Sequence, residues 1–130
     1  MLRRFRRGAN AMEFALVSPL LFMSIFSVFE CGWFFCNQVV LDELVSDMSR
    51  AISTAPAEDI AVVYDEEIII ATERWRSMGL MGTPIFQYAT FGTSVSVQGE
   101  VTYEQLGPYN ILTIDEIRSE VTTTWPGGAP

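Results

Sequence analysis

"FALVSPLLFMSIFSVFECGWFFC", residues 14–36, runs for 23 residues with a single charge, Glu30, near its far end. As a helix rising 1.5 Å per residue the run covers roughly 34 Å, enough to cross the hydrocarbon of a bilayer. A secretory signal peptide has an apolar core of about 7 to 15 residues followed by a small-residue cleavage site, whereas this run continues into the bulky aromatics "WFF". It predicts a retained transmembrane helix, and the rest of the chain has to be arranged around it.

Charge orients that helix. The chain has 8 arginines, no lysine and no histidine against 16 acidic residues, a net charge of -8. Arg3, Arg4, Arg6 and Arg7 crowd the start, so the positive-inside rule predicts a cytoplasmic N-terminus and an exported acidic remainder. Beyond the leading arginines, four arginines face all sixteen acids, and such a domain repels polyphosphate; nucleic-acid binding is not expected. The total of 130 residues leaves room for one small domain besides the span.

Downstream, "FFCNQVVLDELVSDMSRAIS" (34–53) keeps helical spacing: Val40, Leu41, Leu44, Val45, Met48 and Ile52 form a stripe, with Asp42, Glu43, Asp47 and Arg50 opposite. The first helix is therefore a long stalk that ends near Thr54. Pro56 suits the first position of a second helix, with Glu58 and Asp59 in its first turn. Ile60, Tyr64, Ile68, Ala71, Trp75 and Met78 make its apolar stripe, and Gly79 or Gly82 ends it.

From Thr83 the period changes to two. In "TSVSVQGEVTYE" (93–104) Val95, Val97, Val101 and Tyr103 alternate with polar residues, and in "EIRSEVTTTW" (116–125) Ile117, Ser119, Val121, Thr123 and Trp125 do the same. The two predict an antiparallel pair sharing one core face. "PIFQYATF" (84–91) supplies a third strand, broken from the second at Gly92, while "LGPYNILTID" (106–115) is a connection and "PGGAP" (126–130) a frayed end. The fold class is α+β: a long transmembrane helix, a second helix, and a small antiparallel sheet covered by one helix. Trp33, Phe34 and Phe35 form the outer aromatic belt, and Trp75 and Trp125 belong to the core.

The cysteines imply no chemistry. Cys31 follows "VFE", unlike the small neutral residues before a lipid-modified cysteine, and an offset of five places Cys31 and Cys36 about 140° apart on a helix, so no disulfide joins them. Both are expected to be buried thiols. No Gly-rich phosphate loop or metal-ligand spacing is present, and the acidic groups at 65–67 and 115–116 fit a solvated face; neither an enzyme nor a cofactor nor a metal site is expected.

One stretch does imply a function. "RGANAMEFALVSP" (7–19) followed by "FECGWFF" (29–35) resembles the TadE-like pseudopilins of the tight-adherence, Flp-type branch of type IV pilus systems. In that family a basic leader and a glycine precede a Glu-Phe pair whose glutamate is the fifth residue after the glycine; Gly8, Ala9, Glu13 and Phe14 occupy these positions here, and Pro19, Glu30 and Gly32 match later features, with Cys31 where an aromatic is usual. The resemblance covers residues 3 to about 52 and weakens beyond, and relatives commonly carry a disulfide in the exported domain, which has no cysteine here.

The resemblance implies a minor pilin or pseudopilin that takes part in assembling a tight-adherence pilus, for adhesion and surface attachment. It implies a leader, residues 1–8, cut by a prepilin peptidase between Gly8 and Ala9, then a span and stalk, 9–54, and an exported domain, 55–130. Other pilins and pseudopilins, the pilus assembly platform and membrane lipid would be the partners. Glu13 and Phe14 would serve recognition and assembly.

Electrostatics agrees with that role for Glu13. A carboxylate in hydrocarbon costs several kcal/mol, about 2.5 to 3.5 for an aspartate at a helix centre. Cleavage would create an ammonium on Ala9, and at an effective dielectric of about 20 a pair 4 Å apart recovers roughly 4 kcal/mol. The amine can pair within its own chain, one turn away, or with the glutamate of an adjacent subunit, which would set axial register. Glu30, seventeen residues on, falls close to the opposite interface, where headgroups solvate it or a helix contacts it, and Pro19 loosens the helix around Ala15. The competing reading is a single-pass inner-membrane protein whose exported domain binds a ligand or senses the envelope, with Glu13 resting among headgroups.

Overall fold

The computed structural model describes residues 2–56, 58–104 and 114–124, with residues 2–10 described by their backbone alone. The elements are α1 (Leu2–Thr54), α2 (Ile60–Ser77), β1 (Ile85–Phe91), β2 (Ser94–Thr102) and β3 (Glu116–Thr124), an α+β chain. Trp125, residues 106–113 of the expected connection and the tail 126–130 lie outside the described residues. The chain divides into two compact units, and the boundary, between Trp33 and Phe34, falls inside α1.

In the first unit the helix is continuous through Pro19. A proline removes the amide that would reach the carbonyl four residues back, here that of Ala15. The Ser18 hydroxyl reaches that same oxygen at 3.5 Å, and Ser24 and Ser27 likewise donate to Leu20 and Met23 carbonyls at 2.9 and 2.7 Å. In an apolar surrounding these polar groups have to be satisfied within the helix itself.

In the second unit α1 changes character. Leu41, Leu44, Val45, Met48 and Ile52 are buried, Val40 is half-buried, and Asp42, Glu43, Asp47 and Arg50 are exposed, as the spacing predicts. Each buried aliphatic contributes roughly 1.5–3 kcal/mol. What they cover is a three-stranded antiparallel sheet in the order β1-β2-β3. Val97 faces Val121 and Val101 faces Ile117 across β2 and β3. Val95, Val97 and Val101 are buried, and Val121 is half-buried, so the expected register holds for the described residues. Phe91 and Ser94 close the β1–β2 hairpin around Gly92 and Thr93. Gly92 has φ +58 and Thr93 does not share the positive sign, the pattern of a type II′ turn with glycine at its first central position.

Gly99 is where helix and sheet come closest. A Cβ there would lie 2.5 Å from Val45 Cγ2 and 3.1 Å from Leu41 Cδ1, so a larger residue fits only if the side chains of α1 give way. A glycine inside a strand is the usual mark of such a close approach. Ser49 and Thr123, one on α1 and one on β3, join hydroxyl to hydroxyl across the same interface, and the Gln38 side chain donates to the Arg118 carbonyl at 3.3 Å.

Two helices share this face, not the single one expected. The Tyr64 hydroxyl of α2 donates to the Phe86 carbonyl at 2.7 Å, and its ring lies 4.4 Å from that of Tyr88. Arg74 ties α2 to α1 through Glu43 at 2.6 Å and Asp47 at 3.2 Å. Helix α2 starts at Ile60 and not at Pro56; Pro56 instead accepts from the Asp59 amide at 2.9 Å in a turn, and Asp59 takes the N-cap position. The stripe is buried at Ile60, Ala71 and Trp75 and half-buried at Tyr64 and Ile68, but Met78 is the C-cap residue and 45% exposed, because the helix ends before its turn reaches the core. Gly79 follows it, and Trp75, 1% exposed, donates its indole N–H to the Met81 carbonyl.

Candidate processing and assembly site

The leader residues implied by the resemblance sit on the first turns of α1. The backbone is helical through Arg3, Arg4, Arg6, Arg7, Gly8 and Ala9 without a break. Proteases act on extended backbone, so a cut between Gly8 and Ala9 requires the helix to open there. Glycine costs about 1 kcal/mol relative to alanine in a helix interior, and asparagine, at Asn10, is also a weak former, so both residues lower the cost of opening the helix there.

Glu13 is exposed and Phe14 is 67% exposed on the turns that follow. Ala9 and Glu13, four residues apart, lie about one helical turn from each other along the backbone. Around and beyond them the apolar surface is uncovered: Met12 is 75%, Leu16 80% and Leu20 68% exposed. The stretch Ala11–Thr54 is long and apolar enough to cross a membrane, with a most apolar window of mean hydropathy 1.9, of which only 6% is buried within the chain. The arrangement presents one carboxylate at the edge of an apolar surface that the chain does not cover itself.

Glu30 behaves differently from the expectation that headgroups solvate it. It is 1% exposed, withdrawn from any solvent, and Asn37, two turns later on the same face, is 2% exposed. The aromatic belt is also divided. Phe35 is 64% exposed, whereas Phe34 packs edge-on against Tyr103 with centroids 5.6 Å apart. Cys31 is half-buried and Cys36 exposed, both free thiols, so the expectation that both are buried fails: position 36 lies off the face that carries Asn37 and Leu41.

Most acidic groups of the second unit are engaged with arginines or open to solvent, and Glu67 is half-buried. Asp65 and Glu66 are exposed, and among the described residues no three His, Cys, Asp or Glu side chains are gathered as for a metal. Arg118 bridges Glu100 at 3.3 Å and Glu116 at 3.0 Å across β2 and β3. Hydrogen bonding with Glu100 and with Arg118 holds Glu116 below the usual carboxylate range, and Glu116, then Glu100, raise Arg118. Burial, then the neighbouring Tyr88 and Asp65, push the Tyr64 hydroxyl up.

Gly99, the Ser49–Thr123 pair and the Arg74 bridge escape a reading by periodicity. Gly99 did carry a signal, a glycine at a core-facing position of an alternating strand; the hydroxyl pair and the bridge carried none, since they join residues 74 and up to 31 positions apart. Compared with known proteins, residues 8–50 match the family model described as TadE-like protein. The match stops within α1 and includes neither α2 nor the sheet. No curated protein and no solved structure matches the chain.

Proposed function

With a chain that is TadE-like over residues 8–50, and so tied to the tight-adherence pilus system, we propose that it is a minor pilin or pseudopilin, processed by a prepilin peptidase between Gly8 and Ala9 and assembled with other pilins through Glu13. The observation that carries this reading is the exposed Glu13 at the start of an uncovered apolar helix, within the TadE-like segment. A carboxylate in that place favours a cationic partner, and the ammonium freed on Ala9 is the nearest the chain can supply. The four arginines hold the leader on the cytoplasmic side, where the peptidase acts. The assembly platform receives the processed subunit, membrane lipid holds it until then, and the sheet-bearing unit is exported and serves adhesion or attachment.

The test is the N-terminal residue of the protein recovered from cells with and without the peptidase. Ala9 at the terminus with the peptidase, and Met1 without it, is the expected result. An intact Met1 start in both strains would exclude processing and favour the single-pass anchor with a ligand-binding or sensing domain. Gly8→Val should block cleavage, because a branched side chain obstructs the extended backbone the enzyme requires. Since the chain has no lysine, the α-amino group is its one primary amine, and an amine-reactive label reads the terminus directly.

A further inference from the structure

The sheet face turned away from the helices carries a depression built by residue size. Ala89 of β1 and Ser96 of β2 are cross-strand partners, and their short side chains leave low ground between larger neighbours. Phe91 stands on one side, the cross-strand pair Gln87 and Gln98 on the other, and Glu120 of β3 beyond them. The Ser96 hydroxyl donates to Glu120 Oε1 at 2.8 Å, which holds the carboxylate beside the hollow. The Phe91 ring is 68% exposed.

These groups select a chemistry. Each carboxamide offers a donor and an acceptor, and the carboxylate accepts only. The phenyl ring offers an apolar plate. A ligand that uses all of them at once has several adjacent hydroxyls, able both to donate and to accept, and one apolar C–H face. We propose that this hollow binds a neutral saccharide, one ring laid on Phe91 with its hydroxyls on Gln87, Gln98 and Glu120.

Other ligand classes fit less well. An anion meets the Glu120 carboxylate, and the cation on the same face, Arg118, is engaged by Glu100 and Glu116. A hydrocarbon chain would leave two amides and a carboxylate unpaired. A lysine-bearing peptide would satisfy Glu120 but leave the amides and the ring unused. The site uses no residue of the segment 1–13, so the proposal holds whether or not the chain is cleaved.

The test uses the full chain in phosphocholine micelles, free of sugar-based detergent, titrated with neutral trisaccharides of glucose, galactose, mannose and N-acetylglucosamine while backbone amide resonances are followed. The expected result is saturable shifts confined to the amides around Ala89, Ser96 and Gln98 with at least one of them. Phe91→Ala and Glu120→Gln should each weaken that binding about tenfold, the size expected for losing one good contact to a ligand. Ala89→Trp, which fills the hollow on an exposed face, should abolish it with the rest of the spectrum unchanged. No saturable shift with any of the four sugars overturns the proposal. So do shifts centred elsewhere, binding indifferent to all three substitutions, or shifts at these amides produced by a trilysine peptide and by no sugar.

Discussion

From Met12 to Phe29 the apolar side chains of α1 are exposed on every side of the helix; from Leu41 to Ile52 they are confined to one face and buried. The two stretches belong to one helix and differ in pattern more than in the kinds of residue they use. A helix apolar all round needs an apolar medium or other helices outside the chain, whereas a stripe needs one complementary surface, and here the chain supplies it as a sheet. The difference shows why hydropathy alone marks the first stretch, while periodicity is needed to read the second. It also separates folding from the assembly role proposed for the first stretch, so that substitutions can address one at a time.

The largest expected effect falls on the first stretch and leaves folding alone. Glu13→Ala or Glu13→Gln should be cleaved and inserted normally, since removing a charge eases insertion, yet should abolish incorporation with the other pilins. The amine on Ala9 would be left without a counter-charge among packed helices, where a stranded charge costs more than the pair contributes. Glu13→Asp should be intermediate. Piliation and co-purification, with processing followed in the same samples, measure this, and normal piliation by a correctly cleaved Glu13→Ala protein would remove the pairing role.

Next comes a matched pair of truncations. Met48→Ala, at a residue 1% exposed, should lower the unfolding free energy of the sheet-bearing unit by about 2–5 kcal/mol. Leu20→Ala, at one 68% exposed, should change it by no more than about 0.5 kcal/mol. Denaturant unfolding of the two variants in the same micelles decides the matter; equal losses would mean that the two stretches are covered in the same way. Gly99→Ala tests the closeness of the second stretch to its sheet. The added methyl collides with Val45 and Leu41, and the expected loss is about 1–3 kcal/mol, with Val45→Ala in the same chain restoring part of it.

How much of this was legible follows from the same contrast. The stripe from Val40 to Ile52, the core face shared by Val95, Val97, Val101 and Val121, and the hairpin break at Gly92 are each set by local spacing, and each is found. The start of α2 was misplaced because Pro56 and the acids after it fit a first helical turn as well as the turn that precedes one. The burial of Glu30 has no sign in charge or spacing, and Met78 leaves the stripe because α2 ends at Ser77, a boundary that the spacing of the stripe does not set. At the candidate site, the place of Glu13 relative to the apolar run was legible, because charge and hydropathy are local properties. The hollow around Ala89 was not, since it arises from cross-strand neighbours.

The smallest predicted effect concerns a single hydrogen bond. Tyr64→Phe removes the donor to the Phe86 carbonyl and should cost about 0.5–1.5 kcal/mol, less than any apolar truncation under α1. It also carries a pH signature. The folded Tyr64 holds its proton to higher pH than the unfolded chain does, so its contribution is complete below about pH 10 and is lost as pH rises above it. Stability measured between pH 9 and 11 should therefore fall less steeply in Tyr64→Phe than in the parent, and parallel curves would assign the alkaline loss to other groups.

The turn at Gly92 has a consequence in time. Only Gly92 and Thr93 separate β1 from β2, so these strands can find each other in about 1–10 μs, while β3 and the stripe of α1 have to close far longer loops before they gain anything. The hairpin is thus the piece of the sheet that can form first, offering Gly99 and the valines of β2 as a template on which α1 and β3 then settle. If that order holds, Gly92→Val will slow folding far more than it speeds unfolding.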